Sequence, residues 1–463
     1  MMGKVNSVVL GVVMGIGVAL APVAVRAESL TDALIAAYRN SNLLDQNRAL
    51  LRAADEDVAI AVSGLRPVVD FVSRARYNRS DVRNQLTRRV TESEGTTLTV
   101  ALTAELTLYD GGATRYGIDA AKEIVLATRQ SLVGVEHSVL FNAVDAYMQT
   151  RLAEDIVTLR QSNVRVIDRE LAAARDRFEL GEITRTDVAI AEARLAGARA
   201  NLAAAEGDLA VQREVYNFAV GNFPRGLSNP PRKPQTAKSM EEAKAIARRN
   251  HYAIRQLQHE AAALELNLLR ASAAMKPRIT AGAEYGRTDE GFNSRVLSLT
   301  MSQRVYQGGK LSADYRKVLA RRDAVRAALH NTVAEVDQAV GEGWARVAVA
   351  RAQIEASDRQ ISAARTAYDG VREEAKLGAR TTLDVLNAEQ ELLDAQAGRL
   401  QAVTGEYTAT YGLLAAMGLL TVDHLKLGIP TYDVTGYYNA VKAAPATSSQ
   451  GKKLDKVLKA IGN

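Results

Sequence analysis

Apolar residues recur at every seventh position over three long stretches of the chain. The stretches contain Val125, Leu132, Val139 and Ala146; Val188, Leu195, Leu202, Leu209 and Tyr216; and Leu386, Leu393, Leu400, Tyr407 and Leu414. Such a sustained spacing indicates helices that pack lengthwise on neighbouring helices. Because nothing interrupts the helical pattern between Gly112 and Gly181, we predict one helix of about 70 residues there, or ~100 Å. A shorter helical pattern predicts one unbroken helix over 30–65, which Pro67 ends.

Between these helical stretches the period changes to two. In 96–106, Leu98, Val100 and Leu102 share one face with Ala104 and Leu106, whereas threonines and Glu105 occupy the other face. The segments 68–78, 278–287 and 295–306 alternate in a similar way, which predicts four strands with one apolar face each. The segment 79–95 is predicted to be the loop between the first two strands, and it is longer than the corresponding loop of the second repeat at 288–294.

The chain contains an internal two-fold repeat. "LGEITRTDV" (180–188) returns as "LGARTTLDV" (377–385), and Gly181, Thr184 and Asp187 recur at a constant offset of 197 residues (378 − 181). Each repeat runs as helix, two strands, long helix, tip turn and helix. We therefore predict a first repeat at 28–221, an inter-repeat equatorial linker at 222–239, a second repeat at 240–418, and a C-terminal equatorial region with a flexible tail at 419–463.

The composition narrows the class of protein. Charged residues make up 24% of the chain and aromatic residues 5%, and the net charge of +6 is spread without blocks. This distribution is typical of solvated helix faces and does not favour nucleic-acid binding. Lys4, an apolar run at 8–25 and small residues at Val25 and Ala27 predict a cleaved signal peptide at 1–27. The absence of cysteine excludes disulfides.

Four short strands with one apolar face cannot close a barrel alone, and an open edge in lipid is costly. A transmembrane barrel needs about eight strands or more. Closure therefore requires several copies of the chain. Two copies give eight strands, which is the minimum for a barrel, and three copies give twelve strands with a usable lumen. The long helices leaving such a barrel would continue as a second, helical tube.

The duplication, the strand pairs that end in "YDGG" (109–112) and "YQGG" (306–309), and the two tip motifs together resemble the TolC-like outer-membrane efflux family. The resemblance covers nearly the whole chain after residue 27. It implies an α+β membrane protein, in which a homotrimer forms a twelve-stranded transmembrane β-barrel in outer-membrane lipid, four strands per chain. A long antiparallel coiled-coil α-barrel would cross the periplasm.

The resemblance also implies roles for residues at the two tips. Asp187 and Arg380 match residues that hold the periplasmic entrance of the family shut, and Asp384 matches a residue that faces the narrowed pore. The chain departs from the family pattern at Ala375, where a tyrosine is expected, and at Asn387, where a second pore aspartate is expected. A periplasmic adaptor, coupled to an inner-membrane transporter, is expected to dock at the tips. The candidate docking residues are Gly181, Thr184, Gly378 and Thr381.

No enzyme signature or cofactor motif is visible, and the five histidines are scattered without the clustering that a metal site needs. Together with the resemblance, which implies a tripartite efflux or type I secretion system, this absence predicts a passive exit duct. Drugs, protein toxins, polysaccharides and metal ions are all compatible with a wide polar lumen. The alternative is a non-membrane periplasmic coiled-coil adaptor or scaffold, for which a single hairpin without a repeat is expected.

Overall fold

The structure is a computed structural model. It describes residues 27–444 apart from 84, 86, 87, 89 and 290, together with Lys452 and Lys456. The signal peptide predicted at 1–27, except for Ala27, and most of the tail predicted within 419–463 lie outside the described residues. The helices are α1 Leu30–Asn40, α2 Asn42–Ser63, α3 Ala113–Glu179, α4 Arg185–Val220, α5 Met240–Asn250, α6 Tyr252–Ala273, α7 Lys310–Lys376, α8 Thr382–Ala416 and α9 Gly436–Val441. The strands are β1 Val68–Arg83, β2 Val90–Tyr109, β3 Arg278–Thr288 and β4 Asn293–Ser302.

The single helix predicted over 30–65 is wrong, because the chain breaks at Ser41. Ser41 has extended backbone, with φ −75° and ψ 105°, and its hydroxyl accepts a hydrogen bond from the Leu44 N–H. A serine that caps a new helix competes with helix continuation in this way. The second repeat breaks at His251, 210 residues later (251 − 41), where the ring Nδ1 accepts a bond from the Ala253 N–H.

The long helix of the first repeat has the predicted length, and its counterpart in the second repeat is equally long. Both α3 and α7 contain 67 residues, and each follows a glycine in the left-handed region, Gly112 at φ 94° and Gly309 at φ 80°. The seven-residue positions of α3 are buried, as the pattern predicts. They are Val125, Leu132, Val139 and Ala146.

The helices form one layer in two tiers. In the tier next to the sheet, α3 lies between α2 and α6, and α6 also packs on α7. In the tier away from the sheet, α3 packs on both α4 and α8, and α8 packs on α7. We call α3 with α4 the first hairpin and α7 with α8 the second hairpin. Each long helix thus belongs to both tiers, so the helices form one elongated layer.

The four strands form one antiparallel sheet in the order β1-β2-β3-β4. The register puts Phe71, Leu102 and Tyr285 in one cross-strand row, and Asp70, Thr103 and Glu284 in the next. The predicted division into an apolar face and a polar face is therefore confirmed. The prediction of a loop over 79–95 is wrong, because the pairing of β1 with β2 continues to Arg83 and Val90. The extra residues of the first repeat therefore lengthen its two strands.

The main core lies at the junction of the two tiers, where the repeats and the linker meet. Tyr147 on α3 is fully buried, and its hydroxyl donates to the Ser228 carbonyl at 2.7 Å. The neighbouring Leu227 forms a parallel bridge with Glu28. These contacts fasten the segment 222–239 around the helices. Across the described residues, no helix combines the length and apolar character needed to span a membrane.

Candidate functional site

The two hairpin tips have the same backbone path. At each tip a leucine ends the long helix and a glycine in the left-handed region follows, Gly181 at φ +77° and Gly378 at φ +77°. The next N–H then bonds back to the helix, Glu182 to the Arg177 carbonyl and Ala379 to the Glu374 carbonyl, each at 2.9 Å. This is the usual glycine-dependent helix stop. The repeated glycines are therefore explained by the turn itself.

The threonine and the aspartate of each tip start the returning helix. The carboxylate of Asp187 accepts bonds from the Thr184 N–H at 3.0 Å and the Thr184 hydroxyl at 2.8 Å, while the Asp187 N–H donates to that hydroxyl at 3.3 Å. Thr381 and Asp384 repeat this reciprocal arrangement, with distances of 3.0, 2.9 and 3.2 Å. Such a capping box satisfies N–H groups that have no partner within the helix. The spacing Thr-x-x-Asp was a sequence signal for it.

Within this chain, Arg380 and Asp187 do not bond each other. The Arg380 Nε donates to Glu374 Oε2 at 2.9 Å, in the same hairpin, and both side chains are about half exposed. Both bonds that the Asp187 carboxylate accepts use its Oδ2, so its Oδ1 has no hydrogen-bond partner among the described residues. The gate pairing therefore remains a prediction that concerns neighbouring hairpins.

The charges at the second tip are held in their ionised forms. Hydrogen bonds from the Thr381 N–H and then from its hydroxyl lower the pKa of Asp384 below its usual range, and the nearby Arg380 acts in the same direction. The bond to Glu374 raises the pKa of Arg380. The tip thus presents a carboxylate and a guanidinium that stay charged at neutral pH.

The two residues that depart from the family pattern, Ala375 and Asn387, each make a defined contact in this structure. Ala375 is buried and packs in a small cluster with Tyr368, Val385 and Leu392. Asn387 accepts a hydrogen bond from Arg194 on the first hairpin at 3.0 Å. Asn387 therefore links the two hairpins of the chain, a role that the sequence did not indicate.

Further contacts join the two hairpins above the tips. Leu386 on α8 packs against Leu195 and other apolar residues of the first hairpin. The Asn163 amide donates to Glu389 at 3.3 Å, and Arg372 lies 3.6 Å from Glu170. Burial raises the pKa of Glu389, and the bond from Asn163 opposes this shift. Sequence reasoning missed the four polar residues, because they lie outside the seven-residue pattern and only packing brings them together.

Each tip also exposes the leucine that ends its long helix. Leu180 is 75% exposed and Leu377 is 85% exposed, and they occupy equivalent positions in the repeat (377 − 180 = 197). An exposed apolar side chain beside each turn is the kind of group that a partner protein can cover. In the ranges that the structure describes, no group of three or more His, Asp or Glu side chains could hold a metal ion.

Comparisons with known proteins agree with this architecture. The family model "Outer membrane efflux protein" matches residues 34–222 and 245–419, one match in each repeat. The outer membrane efflux protein BepC of Brucella suis biovar 1 (strain 1330) is 35% identical over 436 residues, which cover 92% of this chain and 93% of BepC. The proteases secretion protein PrtF of Dickeya chrysanthemi is 23% identical and covers 80% of this chain and 84% of its own.

The fold is also similar to a solved structure. The outer membrane protein VceC from Vibrio cholerae superposes with a TM-score of 0.73 at 18% identity, over 84% of this chain and 96% of that chain. The overall fold of this chain therefore also occurs in a solved outer membrane protein. The chain belongs to the outer membrane efflux protein family.

Proposed function

We propose that three copies of this chain assemble into an exit duct, a twelve-stranded β-barrel continued by a helical tube. The observation that carries this proposal is that the sheet has two unpaired edges and an exposed apolar face. In the described part of the chain, β1 and β4 each pair along one edge only. The apolar face is open, with Leu297 89% exposed and Phe71 71% exposed. Unpaired edges and an exposed apolar face are satisfied together when further copies close the sheet in lipid.

The helical layer supports the same assembly. Most of α7 is exposed although it is 67 residues long. At the opposite end of the layer, α4 carries an exposed stripe of Val211, Val215 and Phe218, the last 90% exposed. A copy whose α7 lies against this stripe would cover both surfaces. Because the contact is between different faces, it repeats in one direction, and it closes as a ring when the rotation between copies divides a full turn evenly.

Family membership sets the location and the class of protein. The protein lies in the outer membrane, with its helical part in the periplasm, and its family consists of transport channels. We infer that it is no enzyme and that transport through it is passive. Energy would come from an inner-membrane transporter, coupled through a periplasmic adaptor. The alternative of an adaptor or scaffold is set aside, since the chain has two hairpins, a repeat and a sheet.

The tips are the proposed docking and gating elements. Gly181, Thr184, Gly378 and Thr381 shape the turns that present Leu180 and Leu377 to the adaptor. In the closed ring, Arg380 of one hairpin would bond the free Oδ1 of Asp187 on a neighbouring hairpin and leave Glu374. Asp384 would face the entrance as a ring of three carboxylates. Adaptor binding would separate the hairpins and widen the mouth.

Native mass measurement in detergent tests the assembly. We expect a trimer for the wild type. Phe218→Asp buries a charge in the proposed contact and should shift the protein towards smaller species, whereas Ala210→Asp, on the exposed surface beside the stripe, should leave the trimer intact. A folded wild-type monomer that persists at high protein concentration would contradict the proposal.

A further inference from the structure

A cavity of about 790 Å³ lies where α3, α7 and α8 meet. Phe141 and Leu152 line it from α3 and Val349 lines it from α7, so part of its wall is apolar. On α8 the wall contains small residues, and a Cβ atom added at Gly405 would meet nothing within 4 Å. The volume is within the range of protein sites that bind small organic molecules.

Two threonines of α8 bring hydroxyl groups without a partner to this wall. Thr404 is only 6% exposed and lines the cavity, and its hydroxyl forms no hydrogen bond with the described residues. The Thr408 oxygen, one turn further along, is buried and has no partner there either. On the same helix, Thr410 donates to the Glu406 carbonyl at 2.7 Å, which is how a helical threonine commonly satisfies its hydroxyl. Because a buried hydroxyl without such a bond is costly, a polar group of a ligand in the cavity would stabilise it.

The cavity lining that the structure describes has no net charge. Its charged residues are Glu342 and Arg346, one turn apart on α7, and their side chains lie 3.5 Å from each other. Glu342 also accepts a hydrogen bond from the Gln338 amide at 2.9 Å. Gln353 and Gln401 add amide groups that both donate and accept hydrogen bonds. The wall therefore suits an uncharged molecule that has an apolar part and hydrogen-bonding groups.

The cavity lies on the surface of the helical layer opposite to the linker 222–239. On α3, Tyr147 bonds the linker, and Gln149 in the cavity wall lies about 200° further around the helix. On α8, Tyr407 bonds the linker, and Gly405 lies about 200° from it. In the proposed tube the linker would lie outside, where the circumference is larger, so the cavity would face the lumen.

We propose that this cavity is a binding site for neutral amphipathic small molecules in the wall of the duct. The apolar part of such a molecule would lie against Phe141 and Val349, and a polar group would bond the Thr404 hydroxyl. Molecules that enter the lumen would be retained there briefly, and a molecule that fills the cavity would narrow the duct. The position in the lumen rests on the proposed function, whereas the cavity itself belongs to a single chain.

Photolabelling tests the site, with 4-benzoylbenzamide as the neutral probe and 4-benzoylbenzoate as its anionic isostere. The purified trimer in phosphatidylcholine nanodiscs is irradiated with each probe, and the labelled residues are identified by mass spectrometry. We expect the neutral probe to label the cavity walls severalfold more than the anionic probe does. Gly405→Phe fills the cavity, and Thr404→Val removes the hydroxyl at nearly constant volume, so each should reduce this labelling severalfold.

Gly398→Phe is the matched control for Gly405→Phe. Gly398 lies on the same face of α8, two turns away and outside the cavity lining, and a Cβ atom added there also meets nothing within 4 Å. The same aromatic side chain at this position should leave the labelling of the cavity unchanged.

Several results would overturn the inference. Equal labelling by the two probes would contradict a neutral site, and labelling that Gly405→Phe does not reduce would mean that the probe binds elsewhere. Labelling of a dissociated monomer that is lost in the trimer would mean that a neighbouring copy occupies the cavity. Single-channel conductance of the same protein separates the two proposals. No labelling of a trimer that conducts removes only the site, whereas labelling of a protein that never conducts removes the duct and the luminal position.

Discussion

The first and second hairpins contain the same charged pair and use it differently. Arg175 and Glu192 of the first hairpin correspond to Arg372 and Glu389 of the second, at the offset of 197 residues. In the first hairpin the two side chains bond each other at 2.6 Å and are both exposed. In the second, Arg372 turns to Glu170 and Glu389 to Asn163, so both reach across to the first hairpin.

The neighbour decides between these arrangements. The helix α8 packs on α3, so Glu389 is buried between hairpins, whereas Glu192 on α4 lies at the open side of the layer. An exposed pair such as Arg175 and Glu192 adds ~0–1 kcal/mol to stability. A duplicated sequence can therefore keep its residues and still acquire a new contact, because the partner comes from outside the repeat. The comparison predicts that equivalent substitutions in the two hairpins have unequal effects wherever a neighbour is involved.

The largest difference between equivalent substitutions in the two hairpins is expected at Arg380, whose counterpart in the first hairpin is Ile183. Arg380→Glu would place carboxylates of three chains against Asp187 and remove three proposed links. Each exposed link is weak, but the loss of three together should shift the open-to-closed ratio towards the open state by up to about a hundredfold. Single-channel conductance in planar bilayers should rise accordingly.

Two controls sharpen this result. Ile183→Glu adds the same charge to the other tip without removing a link, and we expect a much smaller rise in conductance. Glu374→Gln frees Arg380 from its partner within the hairpin, so it should lower conductance or leave it unchanged. If Arg380→Glu conducts as the wild type does, the constriction lies away from these residues.

Sequence periodicity predicted what depends on local spacing. The lengths of α3 and α7, the two faces of the strands and the positions of the tips all follow from where apolar residues and glycines recur. The break at Ser41 was missed, although a serine cap was a readable signal. The pairing of Asn163 with Glu389 could not be predicted, because the two residues are 226 positions apart and meet only when α3 and α8 pack.

The next difference concerns how pH affects the contacts of Glu389 and of its counterpart Glu192. Burial raises the folded-state pKa of Glu389. Its contribution to the contact between hairpins is therefore fully present below the unfolded-state pKa and is lost as pH rises through the folded-state pKa. Glu389→Gln keeps an oxygen for Asn163 without the charge. At neutral pH we expect it to stabilise the contact by about 1–2 kcal/mol, the scale for an incompletely bonded buried group.

Hydrogen exchange in α8, measured at mildly acidic and neutral pH, follows this contact directly. The wild type should be better protected at acidic pH, and Glu389→Gln should be well protected at both. Glu192→Gln serves as the matched control and should not alter the protection of α8. A pH dependence that survives in Glu389→Gln would assign the effect to another group.

A third substitution should show no contrast between the hairpins. Thr184→Val and Thr381→Val each remove a hydroxyl that caps the returning helix, at a cost of about 1 kcal/mol. Because the capping distances agree within about 0.1 Å, hydrogen exchange in the first turns of α4 and α8 should increase equally. Unequal increases would mean that one threonine has a further partner in the assembly.

The smallest expected effect concerns the aspartates of the capping boxes. Asp384→Asn removes a charge but retains an oxygen that can accept from the Thr381 N–H, so the turn should persist. If Asp384 faces the entrance, the loss of three carboxylates lowers the local attraction for cations, and the reversal potential in a salt gradient should move towards that of an unselective pore. Asp187→Asn is the matched control, since the backbone around Asp187 is equivalent and its carboxylate is proposed to face a neighbouring hairpin. A shift for Asp384→Asn alone would support an acidic ring at the mouth. Equal shifts for both variants would mean that selectivity follows the total charge of the tips, and that Asp384 serves only to start its helix.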